Sequence, residues 1–208
     1  MTPPPTLGVI LAGGLSRRMG GQEKSLLVLG GQTLLDHVRE RVAPQCESLI
    51  LNANGSSSRF DAIGLPVVPD VIPGHQGPLA GILTALEWTA AHRPRIEWVV
   101  SVPGDTPFIP KDLVRRLHEA CREGQRPLAC ASSGEQTHFA VGLWPVSLRD
   151  DLRRAIVEKD MRSVRVWVSV HGCAEASWPI ETVDPFFNIN TPEDLARANM
   201  WVSREYPR

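Results

Sequence analysis

Apolar residues recur along the chain in short runs, and most runs end at a glycine, a proline or a polar residue. Short runs bounded in this way are typical of buried strands, whereas apolar residues spaced three and four apart are typical of helices. The runs that predict strands are 7–11, 26–29, 48–53, 65–68, 97–102, 128–131, 139–144 and 186–190. Helices are predicted over 33–43, 79–92, 110–123, 148–158 and from 191 onward, and 164–170 is apolar and β-branched.

Strands and helices alternate through the first 125 residues, which is the signature of βαβ units and a parallel sheet. The shorter runs of the second half predict some antiparallel pairing. We therefore expect a Rossmann-like, three-layer α/β/α arrangement with a mostly parallel, partly mixed sheet. The length of 208 residues fits one domain over 1–208 with a flexible leader at 1–6.

The composition excludes several classes of protein. Apolar residues make up 42% and charged residues 22% of the chain, and the net charge is only -1, so nothing global favours nucleic acid or a membrane surface as a partner. The four cysteines lack the paired spacing of a zinc site. Scattered thiols without a secretory leader favour a cytoplasmic location.

The first strand leads into a glycine-rich basic segment, which is the strongest chemical signal in the chain. Gly13 and Gly14 follow the apolar run directly, and Arg17, Arg18 and Lys24 come soon after. Glycines allow sharp turns with exposed backbone N–H groups, and the cations suit a polyanion. The segment predicts a phosphate-binding loop, and Lys24 and Arg18 suit a triphosphate.

Two common phosphate motifs do not match this loop. Glu23 occupies the position where a P-loop requires the glycine before its lysine. The dinucleotide pattern G-x-G-x-x-G is also absent, since Gly13 and Gly14 are adjacent and the next glycine is Gly20. Walker-type NTPases and hydride-transferring dehydrogenases are therefore disfavoured.

Polar residues or glycines follow the predicted strands, at the sheet edge where open α/β folds bind ligands. These residues are Gly13, Asn52, Asp70, Asp105 and Asn190. Asp105 supplies a hard oxygen ligand suited to Mg²⁺, although Asp-Thr-Pro is also a good helix N-cap. The carboxylate of Asp70 can accept hydrogen bonds from guanine N1 and N2, and Asn52 can pair with a base edge or a sugar hydroxyl.

Several motifs together resemble one family. They are LAGGLSRRMG at 11–20 with Lys24, LNAN at 51–54, VPD at 68–70, GPLAG at 77–81, PGDTPFIP at 103–110 and FNINTPEDL at 187–195. The set resembles the molybdenum cofactor guanylyltransferases, the MobA family of nucleotidyltransferases, over nearly the whole chain. GPLAG and the DTPF-type segment recur among related nucleotidyltransferases, so these two motifs alone indicate only the superfamily. The motifs LAGGLSRRMG, LNAN and FNINTPEDL together indicate the family.

The resemblance implies transfer of GMP from GTP to the terminal phosphate of molybdenum-molybdopterin, with release of pyrophosphate. It implies that GTP binds to the backbone of Leu11, Ala12 and Gly13 and to Lys24, Asn52, Asp70 and Asp105. Catalysis would rest on Lys24, Arg18 and Asp105, and Asp105 would hold Mg²⁺ or Mn²⁺. Molybdoenzymes or other cofactor-biosynthesis proteins would be the protein partners.

Other interpretations stay open at this point. The nearest is a sister nucleotidyltransferase that uses CTP on the same cofactor, or an enzyme that acts on a sugar or alcohol phosphate. A nucleotide-binding cofactor carrier is an alternative of a different class. Asn188 and Asn190 are candidates to complete the metal shell or bind ribose, His138 to touch the pterin, and Arg162 and Arg165 to meet the acceptor's phosphate.

Overall fold

The computed structural model describes residues 2–12, 23–74 and 77–205. The strands are β1 (Thr6–Leu11), β2 (Val28–Leu29), β3 (Gln32–Thr33), β4 (Ser48–Asn52), β5 (Val67–Val68), β6 (Trp98–Pro103), β7 (Leu128–Ser133), β8 (Gln136–Pro145) and β9 (Cys173–Trp178). The helices are α1 (Leu34–Val42), α2 (Pro78–His92), α3 (Leu113–Gly124), α4 (Arg149–Lys159), α5 (Val164–His171) and α6 (Pro192–Glu205).

Seven of the strands form one sheet in the order β5-β4-β1-β6-β8-β7-β9. The pairs β5–β4, β4–β1, β1–β6 and β7–β9 are parallel, and β8 runs antiparallel to both of its neighbours. Six strands therefore point the same way, and their carboxyl ends meet at one edge of the sheet. The expected mostly parallel, partly mixed sheet is confirmed.

Helices cover both faces of this sheet. Apolar side chains of α1 and α3 pack on one face, and those of α2, α4 and α5 pack on the other. Successive residues of β1 point to opposite faces of the sheet. Val9 packs with α2, α4 and α5, Ile10 packs with α1 and α3, and both are fully buried. Strands that are buried on both faces are continuous apolar runs, which is why β1 is so evident in the sequence.

Local sequence explains where the helices begin. Thr33 caps α1 by accepting a hydrogen bond from the Asp36 backbone N–H, and the Asp36 side chain returns a bond to Thr33. This reciprocal arrangement is a capping box. Thr191 forms the same kind of link with Asp194 at the start of α6. The predicted starts of α1 and α6 are confirmed.

The structure corrects or completes the sequence assignment at four places. Residues 186–190 were predicted to form a strand, but they are irregular. The β-branched run at 164–170 belongs to helix α5, because Ser163 caps it and residues 164, 167 and 168 share its buried face. Strand β9 has a small, alternating apolar pattern that the sequence analysis missed. Thr6 is buried in β1, so it is not part of the predicted leader.

A smaller apolar cluster joins the two ends of the chain. The β2–β3 hairpin contributes Leu29 to it, α6 contributes Ala198 and Trp201, and Ile189 lies between them. The backbone N–H of Gly30 in the hairpin donates to the side chain of Asn199 over 3.2 Å. The hairpin that follows Lys24 therefore rests on the last helix.

Among the helices of the described ranges, none is both long and apolar enough to span a lipid bilayer.

Candidate functional site

The carboxyl ends of β4 and β5 hold Asp70 in a fixed orientation. The amide of Asn52 donates to one carboxylate oxygen over 2.9 Å, and the amide of Asn54 donates to the other over 2.6 Å. The backbone N–H of Asp70 donates to the side-chain oxygen of Asn54 over 2.9 Å. Each carboxylate oxygen keeps lone pairs for a further partner. Asp70 is thus a preoriented acceptor of two hydrogen bonds.

Asn52 supports Asp70 rather than offering its amide hydrogens to a ligand. Its Nδ2 group also donates to the carbonyl oxygen of Val68 over 3.1 Å, so both amide hydrogens have protein partners. The side chain is 5% exposed. Only the side-chain oxygen of Asn52 therefore remains for the predicted contact with nucleotide.

Helix α2 approaches this pair closely because Gly81 lies in its first turn. A Cβ atom on Gly81 would lie 2.3 Å from the side-chain oxygen of Asn52 and 2.7 Å from a methyl group of Leu11. Such distances are incompatible with a side chain. The close approach of α2 to Asn52 therefore requires glycine at position 81, the last residue of the GPLAG motif.

We expect Gly81→Ala to destabilise the fold and to weaken nucleotide binding together, because the new methyl group displaces Asn52 and with it Asp70. Overpacking of this kind costs about 1–3 kcal/mol in the free energy of unfolding. Chemical denaturation and calorimetric titration with GTP measure the two effects. Ala91→Ser, at an exposed position of the same helix, is the control and should change neither. Unchanged GTP affinity in Gly81→Ala would contradict the supporting role of Asn52.

Asp105 lies just beyond the end of β6, beside the end of β1. The backbone N–H of Gly104 donates to the carbonyl oxygen of Leu11 over 3.0 Å, which ties the two strand ends together. Burial raises the pKa of Asp105 above its ordinary value, and the nearby Lys24 ammonium counteracts part of that rise. The position that precedes α3 is occupied by Asp112, so Asp105 is not the helix cap that its sequence also suggested.

The segment from Asp184 to Asn190 crosses this edge of the sheet and forms hydrogen bonds with Asp105 and Lys24. The backbone N–H of Ile189 donates to the carbonyl oxygen of Asp105 over 3.0 Å. Lys24 Nζ donates to the side-chain oxygen of Asn190 over 2.6 Å, and Thr106 donates to that of Asn188 over 2.5 Å. Asn188 and Asn190, the candidates for the metal shell or the ribose, therefore contact Thr106 and Lys24.

A hydrogen-bonded trio anchors the other end of that segment. The hydroxyl of Ser133 donates to Asp184 over 2.8 Å and lies 2.7 Å from Nε2 of His138. Since the hydroxyl hydrogen is used on Asp184, His138 must be the donor in its bond to Ser133. Burial lowers the pKa of His138, and the charge of Asp184 partly opposes this. The arrangement is an anchor, because the serine proton points away from the histidine.

The structure brings together Lys24, Asp105, Asn188 and Asn190 as one group and Asn52 and Asp70 as another. Leu11 and Ala12 lie between the groups, and the backbone N–H of Ala12 donates to the carbonyl oxygen of Asn52 over 2.9 Å. Gly13 and Arg18, which the sequence also predicts in the site, lie outside the described residues.

Sequence reasoning missed Asn54, Arg59 and Asp184. The LNAN motif contains Asn54, so its proximity to Asp70 could have been inferred from the pairing of β4 with β5. Arg59 follows a serine-rich stretch and carries no sequence signal. Asp184 precedes a proline, which predicts only a turn.

Comparison with known proteins agrees with this geometry. The profile of the MobA-like NTP transferase domain matches residues 8–171. The family match and the fold thus define a nucleotidyltransferase. A molybdenum cofactor guanylyltransferase of Nitrobacter hamburgensis is 54% identical over 195 residues, which are 94% of this chain and 93% of that relative. The chain belongs to the molybdenum cofactor guanylyltransferase family, as its motifs predicted.

Solved structures of lower identity share the fold. The molybdopterin-guanine dinucleotide biosynthesis protein A of Archaeoglobus fulgidus superimposes with a TM-score of 0.72 at 23% identity, covering 96% of this chain and 99% of that one. A Mycobacterium tuberculosis protein solved in complex with manganese has a TM-score of 0.67 at 20% identity, covering 94% and 98%. These two matches establish the three-layer architecture.

Proposed function

We propose that this protein transfers GMP from GTP to the terminal phosphate of molybdenum-molybdopterin and releases pyrophosphate, forming the guanine dinucleotide cofactor. The observation that supports this most is the convergence of Lys24, Asp105 and Asp70 at one sheet edge in a member of this family.

In the proposed reaction, an oxygen of the acceptor's phosphate attacks the α-phosphorus of GTP. A new P–O bond forms as the bond between the α-phosphorus and the bridging oxygen breaks, and the electron pair leaves with pyrophosphate. Two anions must approach each other, so the protein supplies positive charge and alignment rather than covalent chemistry. Lys24 retains two ammonium hydrogens beyond its bond to Asn190, and we assign these to the triphosphate.

Asp70 is the proposed reader of the base. Guanine offers two adjacent donors, N1–H and the N2 amino group, and the fixed carboxylate of Asp70 offers two adjacent acceptors. Adenine and cytosine do not present that pair of donors on one edge. Asn52 and Asn54 hold the carboxylate at the angle that this pairing requires.

A divalent cation is the proposed cofactor, Mg²⁺ or Mn²⁺, and the residues present fit it. Burial of the Asp105 carboxylate disfavours its ionised form. A bound cation would offset this cost of burying the negative charge. In the described residues there is no cluster of three or more His, Cys, Asp or Glu side chains for a metal, which agrees with Mg²⁺ held by one or two carboxylates and substrate phosphates. When bound, the cation would neutralise developing charge on the phosphates.

The proposed acceptor and partners follow from the family. Molybdenum-molybdopterin would approach from the side of His138 and the 184–190 segment, where polar side chains face the sheet edge. Molybdoenzymes or other cofactor-biosynthesis proteins remain the proposed recipients of the product, in the cytoplasm. Asn188 and Asn190 remain the proposed candidates to complete the metal shell or to contact the ribose.

Thermal stabilisation by nucleotides tests the base preference. With Mg²⁺ present, GTP at about 100 times its Kd should stabilise the fold by about 2.7 kcal/mol, or roughly 5–10 °C in Tm. CTP, UTP and ATP at the same concentration should give smaller shifts. A larger shift with CTP would favour the cytidylyl alternative. Nucleotide binding without pyrophosphate release in the presence of the acceptor would indicate a carrier instead.

A further inference from the structure

Glu23, which precedes Lys24, is largely buried and pairs with an arginine at the protein surface. Its side chain is only 9% exposed, and its carboxylate lies 3.3 Å from a guanidinium nitrogen of Arg59. Burial raises the pKa of Glu23, and the charge of Arg59 partly opposes that rise. A carboxylate this buried requires its cation, since an unpaired buried charge is costly.

Arg59 reaches in the opposite direction as well. Its second terminal nitrogen donates to the backbone carbonyl oxygen of Asn54. The guanidinium also lies over the ring of Phe60, 4.9 Å from the ring centre, and that ring is 2% exposed. A planar fork with several donors can hold two acceptors at fixed angles, which a lysine cannot do.

The contacts form an unbroken chain from the triphosphate side of the site to the base side. Glu23 contacts Arg59, Arg59 contacts Asn54, and Asn54 exchanges two hydrogen bonds with Asp70. Lys24 is covalently next to the first member. The chain therefore links the residue assigned to the phosphates with the residue assigned to guanine.

We propose that Arg59 and Glu23 are a positioning pair that couples recognition of guanine to the grip on the triphosphate. Neither side chain need touch the nucleotide, because Arg59 acts through Asn54 and Glu23 acts through Lys24. The inference rests on the proposed function, in which Asp70 reads the base. Its distinctive consequence is that Glu23, although remote from Asp70 along the contact chain, influences the choice of base.

The test compares GTP with inosine triphosphate, which lacks the N2 amino group that Asp70 would bind. Calorimetric titration with Mg²⁺ gives the ratio of the two Kd values for the unmodified protein, Arg59→Ala, Glu23→Gln and the double variant. We expect Arg59→Ala to reduce the preference for GTP about fivefold and Glu23→Gln about threefold. The double variant should lose no more than Arg59→Ala alone, since both changes break one chain.

The matched control is Arg153→Ala, which removes an arginine that pairs with Glu87 through two bonds of 2.6 and 2.7 Å on the α2–α4 surface. It should leave the preference unchanged. Arg59→Lys keeps the positive charge and replaces Arg59→Ala in the test if that variant does not fold. It should also lower the preference for GTP over inosine triphosphate. A purely structural role would lower Tm without altering the ratio.

Two results would overturn the coupling and are distinguishable. If the unmodified protein prefers GTP and both Arg59→Ala and Glu23→Gln retain that preference, the positioning role is refuted while the proposed function stands. If the unmodified protein shows no preference over inosine triphosphate, base reading by Asp70 fails, and the coupling fails with it.

Discussion

Asp105→Asn should remove GMP transfer almost completely while leaving the fold intact. The substitution keeps the shape of the side chain but removes the carboxylate proposed to hold the metal ion against the phosphates. Electrostatic stabilisation of this kind is worth several kcal/mol, so kcat/KM should fall by at least about 1,000-fold. Pyrophosphate release in the presence of the acceptor is the measurement.

The same variant should be more stable than the unmodified protein in the absence of ligands. The pKa of Asp105 is raised in the folded state, so at neutral pH the ionised carboxylate lowers the free energy of unfolding. Removing it should increase that free energy by about 1 kcal/mol, as substitutions at functional sites often do. The gain should be present at pH 7 and should vanish as the pH falls towards the ordinary value of 3.8.

Asp61→Asn, at an exposed position, is the matched control and should alter neither property. Transfer activity in Asp105→Asn close to that of the unmodified protein would refute the metal-binding role. A lower Tm at neutral pH would contradict the conclusion that burial outweighs the attraction of Lys24.

Lys24→Gln should reduce kcat/KM for GTP by about 100-fold. Glutamine is similar in length and can donate to Asn190, but it brings no charge to the triphosphate, and loss of one such donor typically costs about two orders of magnitude. Affinity for GMP should fall much less than affinity for GTP, because GMP lacks the β- and γ-phosphates. Calorimetric titration with each nucleotide separates the two effects.

The control for this variant is Lys111→Gln, which alters an exposed lysine on the loop before α3. It should leave both affinities unchanged. Equal losses of affinity for GTP and GMP in Lys24→Gln would indicate that the lysine supports the fold of the site rather than the outer phosphates.

The sequence predicted the architecture well because most of its signals are local. Buried strands such as β1 and β6 are apolar runs, and their polar successors mark the ligand edge by topology alone. This reasoning placed Asp105, Asp70 and Asn52 at one edge, and the structure agrees. The capping residue Thr33 likewise identified the start of α1 from neighbouring residues.

What the sequence did not predict depends on contacts between distant segments. The role proposed for Arg59 depends on its contacts with Glu23 and Asn54. No hydrophobic periodicity in the sequence predicts those contacts. The segment at 186–190 is apolar like a strand, but Ile189 bonds to the Asp105 loop instead of a sheet neighbour. In α5, the cap and the spacing of buried residues outweigh the strand preference of valine.

The bond between Lys24 and Asn190 also has a consequence for biosynthesis. These residues are 166 positions apart in the chain. At ribosomal rates of about 5–20 residues per second, Asn190 is made about 8–30 s after Lys24. A nascent chain can pair β1 with β4 and β6 in that interval, but Lys24 has no Asn190 to hold it and the hairpin has no α6 to rest on. The contact that holds Lys24 therefore forms only after the chain has been made as far as Asn190.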